Sequence, residues 1–441
     1  METTNASETA EKPSGSFSRR AFAETAATAA ALLALQPTAA LHANGRQDAV
    51  VVGVMGLHRG LDLAKTFAAT PGVTVKYLCD TDSQRLQAAM ATVSSGVDTK
   101  IQATGDFRDI LNDPDVDALV CAAPNHWHVP ASIMACKLGK HVYVEKPCSH
   151  NPWEGEILVK AARKYHRCVQ MGNQRRSGDK IIEAIKMLHA GRIGRVHYSR
   201  CWYAGEAGSL GKGKPASIPS HLDYELWQGP APRQPYLSNW KHHRWHYNWR
   251  YGNGEIGNNG VHAIDLSRWG LKVDYPVRVV STGGRFFFDD DQQTPDTHVA
   301  SFQFEDERQL LWEGLSCNRM GIDGADFGAS FHGENGTLKL GSSSYAVFDK
   351  QGKPQETATG KQPDAPHIAN FVEAIRADDP TRLNSEIEEG HKSTMLSHLG
   401  NIAYRTGGVL RCDPSNGHIV DNDEAMQLWK REYAEGWEPQ I

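Results

Sequence analysis

Short apolar runs alternate with amphipathic stretches between residues 49 and 173, and this alternation constrains the fold more than any other feature. The apolar runs are rich in β-branched residues, as in "AVVVGVMG" and "HVYVEK", whereas the stretches between them have helical spacing, as in "SQRLQAAMATV". Continuous apolar strands separated by helices are typical of a parallel sheet covered on both faces. We therefore predict an α/β protein with a doubly wound Rossmann sheet over residues 48–172.

The pattern changes after Asn173. Runs such as "THVASFQFE" and "QLLWEGLSC" alternate apolar and polar residues and follow one another at short spacing, and two long helical stretches close the chain. Closely spaced alternating strands favour an antiparallel sheet that is exposed on one face unless something covers it. We predict a second α/β domain over residues 173–441 with a large, mostly antiparallel open sheet.

The first 43 residues resemble an export signal. Arg19 and Arg20 follow a serine, and an Ala/Leu run over residues 26–35 leads to small residues near Ala40 and Ala43. This order is typical of a twin-arginine signal, although a chance Arg pair before an Ala-rich helix is an alternative. We predict a leader over residues 1–43, the twin-arginine export machinery as a partner, a periplasmic location and no stable membrane span after cleavage. The cleavage site stays open.

Composition excludes one class of partner. The formal net charge is only −5 over 441 residues, and no basic stripe is visible, which argues against nucleic acid. The eight cysteines show no CxxC spacing and several lie in apolar runs, so we expect core packing, with a disulfide left open.

The stretch "GVMGLHRG" connects the first predicted strand to the first predicted helix. Glycines in such a turn let the backbone approach a pyrophosphate at the helix N-terminus, and we assign Gly53, Gly56, Leu57 and His58 to cofactor binding. His58 occupies the position of the second glycine in the usual G-x-G-x-x-G pattern. Asp80 ends the second strand, where a carboxylate can bind ribose hydroxyls and repel a 2′-phosphate, although Asp is also common in turns. NAD is therefore favoured over NADP.

Two further strand ends point to the same edge of the sheet. We assign Pro124, Asn125 and His128 of "PNHWH" and Glu145 of "EKP" to cofactor binding, because ligands of open α/β sheets lie outside the carboxyl ends of strands. Lys146 alternates in direction with Glu145 and is the better candidate for chemistry. Near a positively charged nicotinamide ring, its pKa should fall below about 10.4, which allows proton exchange with a hydroxyl. A salt-bridged structural lysine is the alternative.

Together with "GNNGVHAIDLSRWGL", these motifs resemble the Gfo/Idh/MocA oxidoreductases, relatives of glucose-fructose oxidoreductase and inositol 2-dehydrogenase. The resemblance implies a Rossmann domain, a C-terminal α/β domain whose open sheet supports the site and homo-oligomer contacts, and bound NAD(P). It implies sugars, cyclitols or their derivatives as substrates, and catalysis by Lys146 and His262.

The sequence departs from this family four residues before His262. The family often has Asp there, whereas this chain has Asn258, which cannot act as a general base. Acid–base work then falls to Lys146 and His262, with Asn258 orienting a substrate hydroxyl. Asp265 lies three residues after His262, and we predict that it lies at the substrate site and fixes the imidazole tautomer.

The segment "NWKHHRWHYNWRYGNG" is dense in aromatic and planar donor groups, which suit sugar rings. We assign His246 and Trp249 to substrate binding, together with Arg175 of "NQRRSG", which could equally be a surface residue. A metal site through His242, His243 and His246 lacks a further ligand pattern, so we predict no metal.

The leading hypothesis is an NAD(H)-dependent oxidoreductase that transfers hydride at a secondary alcohol of a sugar, cyclitol or sugar derivative. Two alternatives remain. One is an NAD-dependent glycoside hydrolase that works by oxidation, elimination and reduction, and the other is a non-catalytic sugar-binding relative.

Overall fold

A parallel sheet forms the first half of the protein. The computed structural model describes residues 49–94, 100–239 and 242–441, and within these residues the sheet has six strands in the order β3-β2-β1-β4-β5-β6. The strands are β1 (Val50–Met55), β2 (Val73–Cys79), β3 (Gln102–Thr104), β4 (Ala118–Cys121), β5 (His141–Val144) and β6 (Val169–Met171). The strand order reverses direction between β1 and β4, which opens a crevice at the carboxyl ends of these strands.

Helices cover both faces of this sheet, as the sequence predicts. They are α1 (Arg59–Ala68), α2 (Ser83–Ser94), α3 (Arg108–Asn112), α4 (Asn125–Lys137) and α5 (Pro152–Lys164). On one face, Val52 and Val54 pack with Phe67 of α1. On the other, Leu119 and Val142 pack with side chains of α3, α4 and α5. Burial on both faces explains why these strands are continuously apolar.

A second, mostly antiparallel sheet forms the other half. Its ten strands, counted over the described residues, run in the order β14-β13-β12-β11-β7-β10-β9-β8-β15-β16, and β7 and β10 are its parallel pair. They are β7 (Val196–Ala204), β8 (Arg278–Gly284), β9 (Thr297–Gln303), β10 (Gln309–Leu315), β11 (Phe327–Gly333), β12 (Gly336–Leu340), β13 (Ser344–Phe348), β14 (Pro354–Thr359), β15 (Val409–Cys412) and β16 (Ile419–Val420). The predicted open antiparallel sheet is confirmed.

Two long helices pack on one face of this sheet. The helices of the second half are α6 (Asp179–His189), α7 (Tyr224–Gln228), α8 (Val261–Leu271), α9 (Asp364–Ala377), α10 (Ile387–Thr406) and α11 (Asp423–Met426). Side chains of α8 and α10 form one core with alternate residues of the strands, such as Phe302 and Trp312. A π-helical turn, Ile256–Gly260, leads into α8, and a Cβ at Gly260 would lie 2.8 Å from the Trp312 ring. Only glycine allows this close approach.

Helix α9 packs against the first sheet although it follows the second in sequence. Ile368 and Phe371 join the core that contains β1 and α1. The Phe371 ring lies 5.8 Å from that of Tyr143 on β5. The two halves therefore share a core.

Two sequence predictions concern residues beyond the sheets. Residues 1–43, where the sequence predicts an export signal, lie outside the described residues. Within the described part, no helix combines the length and apolarity that crossing a bilayer requires. All eight cysteines are described and unbonded, and seven of them are buried, which agrees with core packing.

Candidate active site

A cavity of about 480 Å³ lies at the carboxyl edge of the parallel sheet, between the strand ends and the start of α8. It brings together most of the site residues that the sequence predicts, although they come from seven separate stretches of the chain. These are Gly56, His58, Asp80, Pro124, Asn125, His128, Glu145, Lys146, Arg175, His246, Asn258 and His262. Lys146 and His262, far apart in sequence, therefore face one space.

Two of the predicted cofactor residues do not line the cavity. Gly53 lies within β1, and a Cβ there would lie 2.4 Å from Ile110, so this glycine serves strand–helix packing. The Leu57 side chain is buried in the core on the α1 side of the sheet. Its backbone N–H donates to Asp80 Oδ2 at 2.8 Å, so Leu57 acts on the site through its backbone.

Two predicted substrate residues also lie elsewhere. Trp249 lines a separate cavity of about 300 Å³, where its ring lies 5.1 Å from the Arg405 guanidinium. The predicted pairing of Asp265 with His262 is wrong. The Asp265 carboxylate is buried and accepts hydrogen bonds from Arg176 Nε (2.9 and 3.0 Å) and Ser393 Oγ (2.6 Å). Positions three apart on a helix differ by about 60° in direction, which is enough to give the two side chains different neighbours.

The glycine turn after β1 is shaped for a close ligand approach. Gly56 has φ +86°, and a Cβ there would lie 2.7 Å from the backbone of Ala122 and Ala123. A side chain is therefore excluded, and the turn leads directly into the positively polarised N-terminus of α1. Asp80 lines the same end of the cavity with a half-buried carboxylate, and burial raises its pKa. A glycine cradle beside a strand-terminal carboxylate fits a dinucleotide.

Asn125 and His128 extend this surface towards Lys146. Both amide atoms of Asn125 are buried and have no hydrogen-bond partner among the described residues, so they can serve a ligand's amide. The ring of His128 has Nδ1 at 2.6 Å from the Pro147 carbonyl oxygen and Nε2 at 2.8 Å from that of Ala123. His128 therefore ties the turn after β4 to the turn after β5.

The Lys146 amine lies at the other end of the cavity. Nζ donates to the backbone oxygen of Asn258 at 2.7 Å and lies 3.4 Å from its side-chain Oδ1. Burial lowers the pKa of Lys146, and the nearby Arg59 and Arg175 lower it further, while Glu145 and Glu255 oppose them. An amine held by uncharged oxygens in a partly desolvated site loses its proton at a lower pH than a free lysine does, which suits proton exchange with a hydroxyl.

His262 faces the same space as a neutral ring. Burial lowers its pKa well below the usual 6.5, and the positive charges of Arg175 and Lys146 act in the same direction. Nδ1 is buried without a hydrogen-bond partner in the described part of the chain. A neutral imidazole next to an amine can orient a hydroxyl or share its proton.

Arg175 lies above the Phe327 ring, 4.0 Å from its centre, and lines the cavity. Burial lowers its pKa to about 10. Because Arg175 lines the same cavity as Lys146 and His262, the substrate-facing interpretation of this residue is favoured over the surface one.

Models of one protein family match most of the chain. The NAD-binding Rossmann fold of the oxidoreductase family matches residues 48–173, and the C-terminal alpha/beta domain of that family matches residues 200–439. The chain belongs to the Gfo/Idh/MocA family of NAD(P)-dependent oxidoreductases. Its first half is the family's NAD-binding domain.

A curated relative matches a smaller part of the chain. A glycosyl hydrolase family 109 protein from Shewanella pealeana is 31% identical over 167 residues, which cover 36% of this chain and 36% of the relative. The chain thus spans just over a third of the length of that relative.

Levoglucosan dehydrogenase in complex with NADH and levoglucosan has a TM-score of 0.64 at 17% identity, over 82% of this chain and 99% of that one. The WlbA dehydrogenase from Bordetella pertussis, in complex with NADH and UDP-GlcNAcA, has a TM-score of 0.63 at 19% identity, over 83% and 99%. At these identities the likeness to the solved structures is one of fold.

The structure adds Arg59 to the residues of this Gfo/Idh/MocA site. Arg59 starts α1, and its Nε lies 3.2 Å from Glu145 Oε1 while its Nη2 lies 2.7 Å from Asp364 Oδ1. It links the glycine turn, the "EKP" turn and α9. The position of Arg59 inside "GLHRG", next to an expected pyrophosphate, could have indicated its role from the sequence. No sequence pattern indicated Asp364.

Glu255 is the second residue that the sequence analysis missed. Its buried carboxylate accepts hydrogen bonds from Asn259 Nδ2 (2.5 Å) and the Tyr247 hydroxyl (3.2 Å). The spacing of Glu255, Asn258 and His262 along one helical face could have indicated it.

Metal ligation gains no support from the described residues, which contain no group of three or more His, Cys, Asp or Glu side chains able to hold an ion. Of the histidines considered for a metal, His246 lines the cavity, and the side chains of His242 and His243 lie outside the described part.

Proposed function

We propose that this protein oxidises a secondary alcohol of a sugar, cyclitol or sugar derivative, reversibly and with NAD. The observation that carries the proposal is the single cavity lined by the Gly56–Asp80 end of the Rossmann sheet and by the Lys146 and His262 side chains. Two solved structures that share its fold are named as levoglucosan dehydrogenase, in complex with levoglucosan, and as the WlbA dehydrogenase, in complex with UDP-GlcNAcA, which supports the substrate class.

The residues of the chain divide the work. Gly56, Asp80 and Asn125 would hold NAD, which supplies the hydride acceptor when it is bound. The neutral Lys146 amine accepts the hydroxyl proton as the carbon–hydrogen bond is broken, and His262 orients the same hydroxyl. In the reverse direction the protonated amine returns that proton to the carbonyl oxygen. Asn258 holds the amine in place through its two oxygens.

A redox-assisted glycoside hydrolase is the second candidate. The curated relative is named a glycosyl hydrolase family 109 protein, and this match favours the candidate. The same amine and cofactor site would serve such a cycle, because its first step is also oxidation of an alcohol. The two functions differ in whether reduced cofactor accumulates.

One assay separates the candidates. Purified protein with added NAD is offered free sugars, cyclitols, sugar acids and aryl glycosides, and absorbance at the NADH band is followed together with aglycone release. We expect NADH to accumulate with a free sugar or cyclitol and Lys146→Ala to abolish it. Aglycone release without net NADH would identify the hydrolase instead. A folded protein that binds NAD but turns over no substrate would contradict both.

A further inference from the structure

A second cavity, of about 300 Å³, is lined mainly by α10, by the turn before α5 and by residues 248–253. None of the described residues that line it also lines the active-site cavity. It contains Trp249, which the sequence analysis assigns to a sugar and which the proposed reaction leaves without a role. Small-molecule sites range from about 300 to 1,000 Å³. The cavity is therefore large enough to be a separate site for a small ligand.

One face of α10 is polar although the helix is mostly buried. His398, Asn401 and Arg405 follow one another at three- and four-residue spacing, which places them on one side of the helix, and all three line the cavity. The His398 ring has a partner, because its Nε2 lies 3.0 Å from Ser149 Oγ. The Asn401 amide is only half satisfied. Its Nδ2 donates to the backbone oxygen of Asn253 at 2.8 Å, whereas its Oδ1 has no partner among the described residues.

Other buried polar atoms around the cavity also lack a hydrogen-bond partner in the described part of the chain. They include Asn253 Nδ2 and Arg431 Nη1. Asn253 and Asn401 are each only 5% exposed. Because buried polar groups in native proteins are normally hydrogen-bonded, unpaired ones around a cavity point to a ligand that occupies it. The unpaired set contains both donors and an acceptor, which suits sugar hydroxyls, since a hydroxyl can donate and accept.

Trp249 gives the cavity an aromatic wall. Its ring is half-buried, and its backbone N–H donates to Gln293 Oε1 at 3.0 Å, which holds this segment in place. The Arg405 guanidinium lies 5.1 Å from the centre of the ring. An aromatic face beside planar donors and amides suits a sugar ring, which presents apolar C–H groups on its faces and hydroxyls at its edge.

The charged side chains that line the cavity are mostly basic. Four are basic and one is acidic, namely Arg250, Arg405, Lys430, Arg431 and Glu432. Lys430 and Arg431 are each paired with a glutamate outside the cavity lining. Arg250 and Arg405 form no ion pair with a described residue. Guanidinium groups bind carboxylates through parallel hydrogen bonds, so a sugar that carries a carboxylate supplies the missing negative charge.

We propose that this cavity binds one acidic sugar unit, such as a uronic acid, at a site distinct from the active site. The Trp249 ring packs against the sugar ring, Asn253 and Asn401 bind its hydroxyls, and Arg250 and Arg405 bind its carboxylate. The inference does not depend on the proposed reaction, because the cavity contains none of the groups assigned to NAD or to proton transfer.

Isothermal titration calorimetry tests this site without turnover. Purified protein without added NAD is titrated with D-glucuronate and D-galacturonate, and D-glucose and acetate serve as separate probes. We expect at least one uronate to bind about tenfold more tightly than glucose, which lacks the carboxylate, or acetate, which lacks the ring. No binding of either uronate, or affinities equal to those of glucose or acetate, would overturn the proposal.

Two variants locate the bound sugar. Asn253→Asp keeps the size of the side chain but replaces the unpaired donor with a negative charge. Arg405→Gln removes a positive charge at an exposed position of α10. Each variant should lower the affinity for the uronate by about tenfold, because each loses a charge-assisted or buried hydrogen bond to it. Wild-type affinity in either variant would overturn the proposed binding mode.

The matched control for Arg405→Gln is Lys164→Gln. Lys164 also places a cation near an aromatic ring, 5.4 Å from the centre of Tyr165, but it lies exposed at the end of α5 and does not line the cavity. Arg175→Gln is the control for the active site. Both controls should bind the uronate as the wild type does, and circular dichroism confirms that each variant is folded. Loss of binding in Arg175→Gln but not in Asn253→Asp would place the sugar in the active site and overturn the proposal.

Discussion

Under the proposed function, the protonation state of Lys146 decides at which pH the chain can accept a proton from an alcohol. Burial lowers the pKa of this amine below its usual 10.5. The amine is neutral, and able to act as a base, above its pKa in the folded protein and protonated below it. We therefore expect alcohol oxidation to rise with pH through a single acidic limb that lies below pH 10.5, measured as kcat/KM from pH 5 to pH 11.

Substitution identifies the group behind that limb. Lys146→Arg keeps the positive charge but cannot lose it, so oxidation should fall by about 100-fold or more and the limb should vanish. His262 should add no inflection near pH 6.5, because burial holds its pKa well below that value. A limb that persists in Lys146→Arg would assign proton acceptance to another group.

The positions of site residues could be predicted from the sequence where the local structure fixes the direction of the side chain. Lys146 lies two residues after the end of β5, and His262 lies on a helix whose sequence matches a family motif, so both could be placed at the site, and both line the cavity. The position of Asp265 could not be predicted, because its hydrogen-bond partners set the direction of its side chain. One of these partners, Ser393, lies 128 residues away in the sequence. Sequence spacing shows which face of a helix a residue can use, but not which neighbour covers that face.

Among the structural elements, the turn between β1 and α1 depends on one glycine. Gly56 has φ +86°, and a side chain there would meet backbone atoms at 2.7 Å that cannot move aside. Gly56→Ala should therefore weaken NAD binding at least tenfold in a fluorescence titration while most of the fold is kept. Gly408→Ala is the matched control, because a Cβ there would lie 3.9 Å from the Thr406 backbone oxygen, and this variant should bind NAD normally. Equal affinity in both variants would remove the turn from the cofactor site.

A buried ion pair joins three elements of the second half. Asp265 on α8 accepts from Arg176, which precedes α6, and from Ser393 on α10. Removing one partner of a buried ion pair costs up to about 3–5 kcal/mol, and Glu389, 3.4 Å from Arg176 Nη2, remains as the second charged partner of Arg176. Asp265→Asn should lower the free energy of unfolding by that order in urea titrations. Wild-type stability together with lower activity would contradict this structural role and would support the role at the substrate site that the sequence predicts.

Elements were predicted well where periodicity is strong. The strands and helices of the Rossmann half follow from their apolar runs, but the short β3, β15 and β16 carry too few residues for a period to show. The packing of α9 on the first sheet was not predictable either. Its apolar face shows that it packs on something, and only the fold shows on which sheet.

At the scale of the whole molecule, the ten-stranded sheet buries one face against α8 and α10. Along β9 and β10, Ala300, Phe302, Leu310 and Trp312 are buried against α8 and α10, while the residues between them are half-buried or exposed. Half-buried apolar side chains on the other face, such as Val299 and Leu311, favour a symmetric contact with a second copy. The sequence analysis predicts a homo-oligomer contact through this sheet, and we expect it on this face.

The face can be tested by placing a charge at its centre. Leu311, half-buried on β10, pairs across the sheet with Arg200 of β7, so Leu311→Lys adds a second positive charge beside the first. A twofold contact would bring both copies of that charge close together, and the oligomer should dissociate. Light scattering after size exclusion should give an oligomer for the wild type and a monomer for Leu311→Lys. Leu138→Lys, at a residue 52% exposed on the Rossmann half, should leave the oligomer intact. Dissociation is expected because a buried like-charge pair at such an interface costs several kcal/mol. A monomeric wild type, or a Leu311→Lys variant of unchanged mass, would therefore contradict the contact.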